Sequence, residues 1–168
     1  MPFDYETNAV AVRTVLTNAN TTTSNPDLSS GLTRRVVTIS IRDPEVTSIR
    51  WDELPAVYIR IASGEEDFAS LGQPGPAATN VVKFKDVNYE IWGMWMRDGS
   101  HSQYDDAITE MYRMAENIEG VFQRNYNISG TALWCNPRST SFGTFTPQAD
   151  GARISLVLID LKARHTFR

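Results

Sequence analysis

The sequence predicts a single α+β domain, a mixed and mostly antiparallel β-sheet flanked by one long and one shorter helix. Three observations lead there. The first is a continuous apolar stripe at helical spacing, Tyr104, Ile108, Met111, Ala115, Ile118 and Phe122, separated by four, three, four, three and four residues. The second is a set of segments alternating with a period of two, among them VVTISIR, LPAVYIRI and ARISLVLIDLKAR. The third is scale: 168 residues, 41% hydrophobic and 21% charged, suit one core that needs neither disulfide nor metal. One domain over 1–168 is expected.

The first twenty residues read as the shorter helix. Val12, Leu16 and Ala19 share a helical face, and Asp4 or Thr7 supplies a cap. The alternation Val10, Val12, Thr14, Leu16 suits a strand equally. Residues 18–31, NANTTTSNPDLSSG, keep no apolar period and predict a long polar loop, a candidate contact arm ordered by a partner. Val37, Ile39 and Ile41 then alternate with Thr38, Ser40 and Arg42 until Asp43-Pro44 ends the strand. In the next strand Val57, Ile59 and Ile61 share one face, Tyr58 and Arg60 the other, with Pro55 at its start. Residues 63–80 read as a second extended loop.

Residues 81–97, VVKFKDVNYEIWGMWMR, exceed the usual strand length. The polar Lys85–Asn88 patch suggests a turn or a bulge, and the simplest reading is a hairpin of Val81–Phe84 with Tyr89–Met96. Asp98-Gly99 marks the next turn, and Ser102 with Asp105 resembles a capping box for the long helix. Thr131–Cys135 reads as a short strand and 136–151 as mostly turn and loop. In the last strand Ile154, Leu156 and Leu158 lie on one face and Val157, Ile159 and Leu161 on the other. Such a strand needs cover on both sides.

Enzyme signatures are scarce. GQPGPAA at 72–78 lacks the lysine of a phosphate loop. The lone Cys135 and the two histidines, His101 and His165, form no metal spacing, and both histidines read as surface residues. No catalytic residue, metal or cofactor is expected. The net charge of -4 argues against broad coating of nucleic acid, although Lys162, Arg164 and Arg168 gather in a basic terminal segment, either a solvated tail or a charged contact arm. No secretory leader is evident, and no membrane span is expected.

The concentrated apolar surface is the feature that asks for an explanation. YEIWGMWM places Tyr89, Ile91 and Trp95 on one face and Trp92, Met94 and Met96 on the other, with Gly93 leaving room for a neighbour. One reading is a central strand between the long helix on one side and the N-terminal element on the other. The other is a protein–protein interface, where aromatics and methionine are enriched. With two doubly apolar strands and two helices, the sequence favours an oligomer. Its candidate interface comprises Trp92, Met94, Trp95, Met96, Val157, Ile159 and Leu161.

The order of elements resembles the tail terminator proteins of long-tailed bacteriophages. The likeness rests on Leu54-Pro55-Ala56-Val57-Tyr58-Ile59 opening a strand, an apolar strand leading into the Tyr104–Phe122 helix, and a terminal strand ending in basic residues. It spans residues 35–165. It implies a virion structural protein of the tail and neck, assembled in the host bacterial cytoplasm into a homo-oligomeric, hexameric ring. The ring caps the tail tube protein, ends its polymerisation and meets a head-completion or neck protein, while DNA passes through the lumen without specific binding. Other neck, tail-completion and tube proteins share this setting. A small enzyme with a pocket between the sheet and the loops at 63–80 and 136–151, and a nucleic-acid module stacking bases on Trp92 or Trp95, are the competing classes.

Overall fold

The computed structural model describes residues 3–43, 49–67, 83–97, 104–145 and 153–167. The expected turn at Asp98-Gly99, the Ser102 cap, His101 and Arg168 lie outside them, as do 68–80 and 146–151 of the expected loops. The architecture is an α+β domain of two layers. One is a five-stranded mixed sheet, and the other is formed by helices α1 (Tyr5–Ala19) and α2 (Tyr104–Arg124).

The ambiguous N-terminal segment is helical. Asp4 caps α1 by accepting from the Thr7 backbone N–H at 2.9 Å, and Ala9, Val12, Val15, Leu16 and Ala19 are buried at helical spacing. Alternation lost to the cap, because Val10 is only half-buried and Thr14 is exposed.

Of the loop expected over 18–31, residues 20–31 hold no helix or strand, but they are not a free contact arm, and β1 begins one residue after Val37. Leu28 is fully buried. Asn117 of α2 donates to the carbonyls of Leu28 at 3.0 Å and Ser30 at 2.9 Å, Arg113 to Gly31 and Arg124 to Asn25, both at 2.9 Å. Glu110 accepts from the Thr33 N–H at 3.1 Å. The polar face of α2 therefore replaces the backbone partners that an irregular segment lacks. Asn117→Ala is expected to lower stability by about 1–2 kcal/mol, because it orphans the buried Leu28 carbonyl. Urea unfolding checks this, and an unchanged midpoint would show the two bonds to be dispensable.

The strands are β1 (Thr38–Ile41), β2 (Ala56–Asp67), β3 (Lys83–Arg97), β4 (Trp134–Phe145) and β5 (Arg153–Phe167), in spatial order β1-β2-β3-β5-β4. Only the β1–β2 pair is parallel. Three expectations are corrected. First, β2 continues past Ile61 through a bulge to Asp67, so 63–67 are strand rather than loop. Second, β3 is unbroken over 15 residues, with no turn at Lys85–Asn88. Asp86, Asn88 and Glu90 share one face, and Asp86 finds its partners on β5. Third, residues 136–145, expected as turn and loop, belong to β4. An edge strand tolerates Pro137, and the neighbouring bulge absorbs Arg138.

Both helices cover the same face of the sheet. One continuous core joins Val12, Val15 and Leu16 of α1 and Met111, Met114, Ile118 and Phe122 of α2 to Val57, Ile59, Tyr89, Ile91, Val157, Ile159 and Leu161. The expected sandwich, with a helix on each side of β3, is therefore not what forms.

Candidate functional site

Register divides the candidate interface residues between two environments. Trp95, Val157, Ile159 and Leu161 point toward the helices; Trp95 is 7% exposed and the other three 0%. They are core residues, with no surface left for a partner. Trp92, Met94 and Met96 point to the opposite face. Met94 is buried there under Leu54, Ala56, Tyr58 and Ile154, because the segment from Ile49 to Leu54 folds over that end of the sheet. Trp92, Met96, Leu156 and Leu158 remain half-buried and form a contiguous strip, since Trp92 lies opposite Leu158 and Met96 opposite Ile154 in the β3–β5 ladder.

Gly93 explains how β3 meets α2 so closely. A Cβ at this position would lie 2.6 Å from Met114 Sδ and 2.8 Å from Val157 Cγ1. The neighbour for which Gly93 makes room is thus the Met114 side chain.

Beyond the apolar strip the open face is charged and internally paired. Asp86 accepts from Arg164 Nε at 2.6 Å and lies 2.8 Å from Lys162 Nζ. Arg164 also stands 5.8 Å from the Phe84 ring centroid and 5.9 Å from that of Trp134. Bonding to the Arg164 guanidinium, helped by Lys162 and opposed by burial, holds the Asp86 carboxyl down at about 2. Arg60 is bound to Glu90 and, at 3.2 Å, to Asp43, and the Trp92 indole N–H donates to Glu90 at 3.2 Å. Lys162 and Arg164 are consequently neither a solvated tail nor an outstretched arm. They are strand residues that share the carboxylate of Asp86, which lies in the patch whose composition suggests a turn. The signal was present in the alternation of Asp86, Asn88 and Glu90 with Val87, Tyr89 and Ile91.

The chemistry available elsewhere is limited. His165 is not a surface residue, being 1% exposed. The buried Cys135 thiol is pushed up to about 12 by desolvation, which leaves it a poor nucleophile. No group of three or more His, Cys, Asp or Glu side chains that could hold a metal occurs among the described residues. The pocket imagined between sheet and loops loses much of its wall, since 63–67 and 136–145 are strands. A shallow cleft of about 230 Å³ does lie between α2 and β4, lined by Met111, Tyr112, Phe142, Ser155 and Leu156 among others. Tyr112 and Phe142 meet edge-on at 5.0 Å, and both are about half exposed. No helix among the described residues is long and apolar enough to cross a membrane.

Fold and face therefore define a two-layer α+β domain whose described helices lie on one side of its sheet. No known family model matches the chain, and no curated protein is significantly similar to it.

Proposed function

We propose that the protein is a structural subunit that closes into a ring, of the kind that caps the tail tube of a long-tailed bacteriophage and joins it to the head. The observation that carries this reading is the one-sided sheet. Its second face bears a half-buried strip of Trp92, Met96, Leu156 and Leu158 that no described helix covers. A half-buried strip of tryptophan, methionine and leucine fits a partner site, where aromatics and methionine are enriched. A head-to-tail contact that closes gives a ring, and the order of elements resembles that of the tail terminators. The pairing of Lys162 and Arg164 with Asp86, and of Arg60 with Glu90, fits a lumen through which DNA slides, because cations already committed to carboxylates hold phosphates more weakly than free ones.

Native mass across a dilution series tests the proposal. The expected result is a closed oligomer near six subunits, persisting on dilution, in the manner of the family that the chain resembles. A monomer at every concentration, alone and in the presence of tube protein, would remove the ring reading.

A further inference from the structure

One buried titratable group has no part in the ring reading. His165 on β5 joins three separate segments. Its Nδ1 lies 2.9 Å from the Thr131 carbonyl oxygen, which can only accept, so Nδ1 carries the hydrogen. Nε2 lies 3.1 Å from the Tyr89 hydroxyl and in the neutral ring accepts from it. The third contact is the N-terminus: the Phe3 ring stands edge-on to the imidazole at 5.5 Å and to Tyr5 at 4.8 Å.

Lys85 lies directly opposite His165 in the β3–β5 ladder, on the same face, and is only 7% exposed. Its Nζ is 5.5 Å from the centroid of the Tyr5 ring. Tyr5 lies this low because β2 presents Gly64 beneath it; a Cβ there would come within 2.7 Å of the Tyr5 hydroxyl. Phe3 and Tyr5 thus roof a neutral histidine beside a lysine.

A second proton has no good place in this arrangement. It would turn Nε2 into a donor toward the Tyr89 oxygen, and the Tyr89 hydrogen would then need a new acceptor in a buried site. It would also set a cation beside the Lys85 ammonium. Of the other titratable groups facing this corner, Tyr89 and Cys135 stay neutral, both raised by burial. Asp86 favours the charged ring but lies on the other side of the sheet, committed to Arg164 and Lys162. Asp4 and Glu6 are exposed at the start of α1, and Glu66 stands opposite Lys85 in the β2–β3 ladder.

We infer that His165 makes the seating of the N-terminal segment depend on pH: Phe3 and Tyr5 stay packed while the imidazole is neutral and lift away when it is protonated. Burial holds the seated imidazole below its ordinary value of 6.5, so the lifted state takes up the proton first. Seating is therefore secure above that value and is lost as pH falls below it. This holds whether or not the chain forms a ring.

Hydrogen exchange on the full-length protein tests it, at about pH 7.5 and about pH 5 with intrinsic rates divided out. The first two turns of α1 are expected to exchange roughly tenfold faster, or more, at the lower pH, while the centre of α2 is unchanged. His165→Gln should abolish the difference and His101→Gln should keep it. An α1 indifferent to pH, or a response that survives His165→Gln, would overturn the inference. Should His165→Gln not fold, the His165 ring titration read by NMR in the wild-type protein serves instead. Its midpoint must coincide with the loss of α1 protection, and a ring that titrates with α1 still protected would also overturn it.

Discussion

Trp95→Ala is expected to destabilise the domain by about 3–5 kcal/mol, the range for deleting a buried large aromatic. Two positions give the comparison its force. Trp95 packs against the helices and is 7% exposed, whereas Trp92, three residues earlier on the same strand, is half-buried on the other face. Truncating Trp92 leaves a smaller cavity and loses one indole bond to Glu90, so about 1–2 kcal/mol is expected. The two variants should also part company in assembly. Trp92→Ala is expected to stay folded while its oligomer dissociates on dilution, and Trp95→Ala to lose fold and assembly together. Urea unfolding with native mass on each variant reads both effects. Equal losses of stability would contradict the two-faced assignment, and a Trp92→Ala protein that kept its assembly intact would remove Trp92 from the interface. A domain whose net stability is typically 5–15 kcal/mol has little margin for the larger loss.

The second large effect centres on Asp86. Its side chain is 10% exposed and serves two cations, Arg164 and Lys162, whose side chains are 30% and 17% exposed. Asp86→Ala removes the carboxylate that both cations share, which is expected to cost about 2–4 kcal/mol, below the full range for breaking a buried pair because Arg164 reaches solvent. The same interaction predicts an acid dependence. The folded carboxyl is held near 2 against an ordinary value of 3.8, so the unfolded chain binds the proton first as pH drops. The contribution is whole above the ordinary value and fades as pH falls from there toward about 2, for a total of about 2 kcal/mol. Denaturation curves across that window should show this share of acid loss in the wild-type protein and lack it in Asp86→Ala. An identical acid profile in both would mean that Asp86 does not carry the linkage.

Much of the fold was legible because periodicity survives local irregularity. The α2 stripe and the alternation in β2 and β5 each point to one element type, and the structure places Val57, Ile59, Val157 and Ile159 in one shared core. The misreadings fell where a local signal answered a question that distant residues decide. Lys85-Asp86-Val87-Asn88 looks like a turn until Lys162 and Arg164, more than seventy positions away, arrive to neutralise Asp86. Asn136-Pro137-Arg138 looks like loop until it takes the outer edge of the sheet, where a missing N–H and a bulge cost little. His165 looked solvated because its neighbours in sequence are basic, yet its neighbours in space are Phe3, Tyr89 and Thr131.

The candidate interface shows the same division. Alternation along β3 and β5 was enough to sort Trp92, Met94 and Met96 from Trp95, and Leu156 from Val157, because successive side chains on any strand point to opposite faces. Nothing in that alternation says which face the helices will cover. That choice belongs to the tertiary structure: α1 and α2 both pack on the face of Tyr89, Ile91, Trp95 and Val157, and Gly93 lets Met114 approach. Local pattern carries α2, the alternating stretches of β2, β3 and β5, and the membership of each face along them. Only the packing of distant elements decided which apolar face became core and which was left half-covered, because that depends on contacts between residues that no local pattern relates.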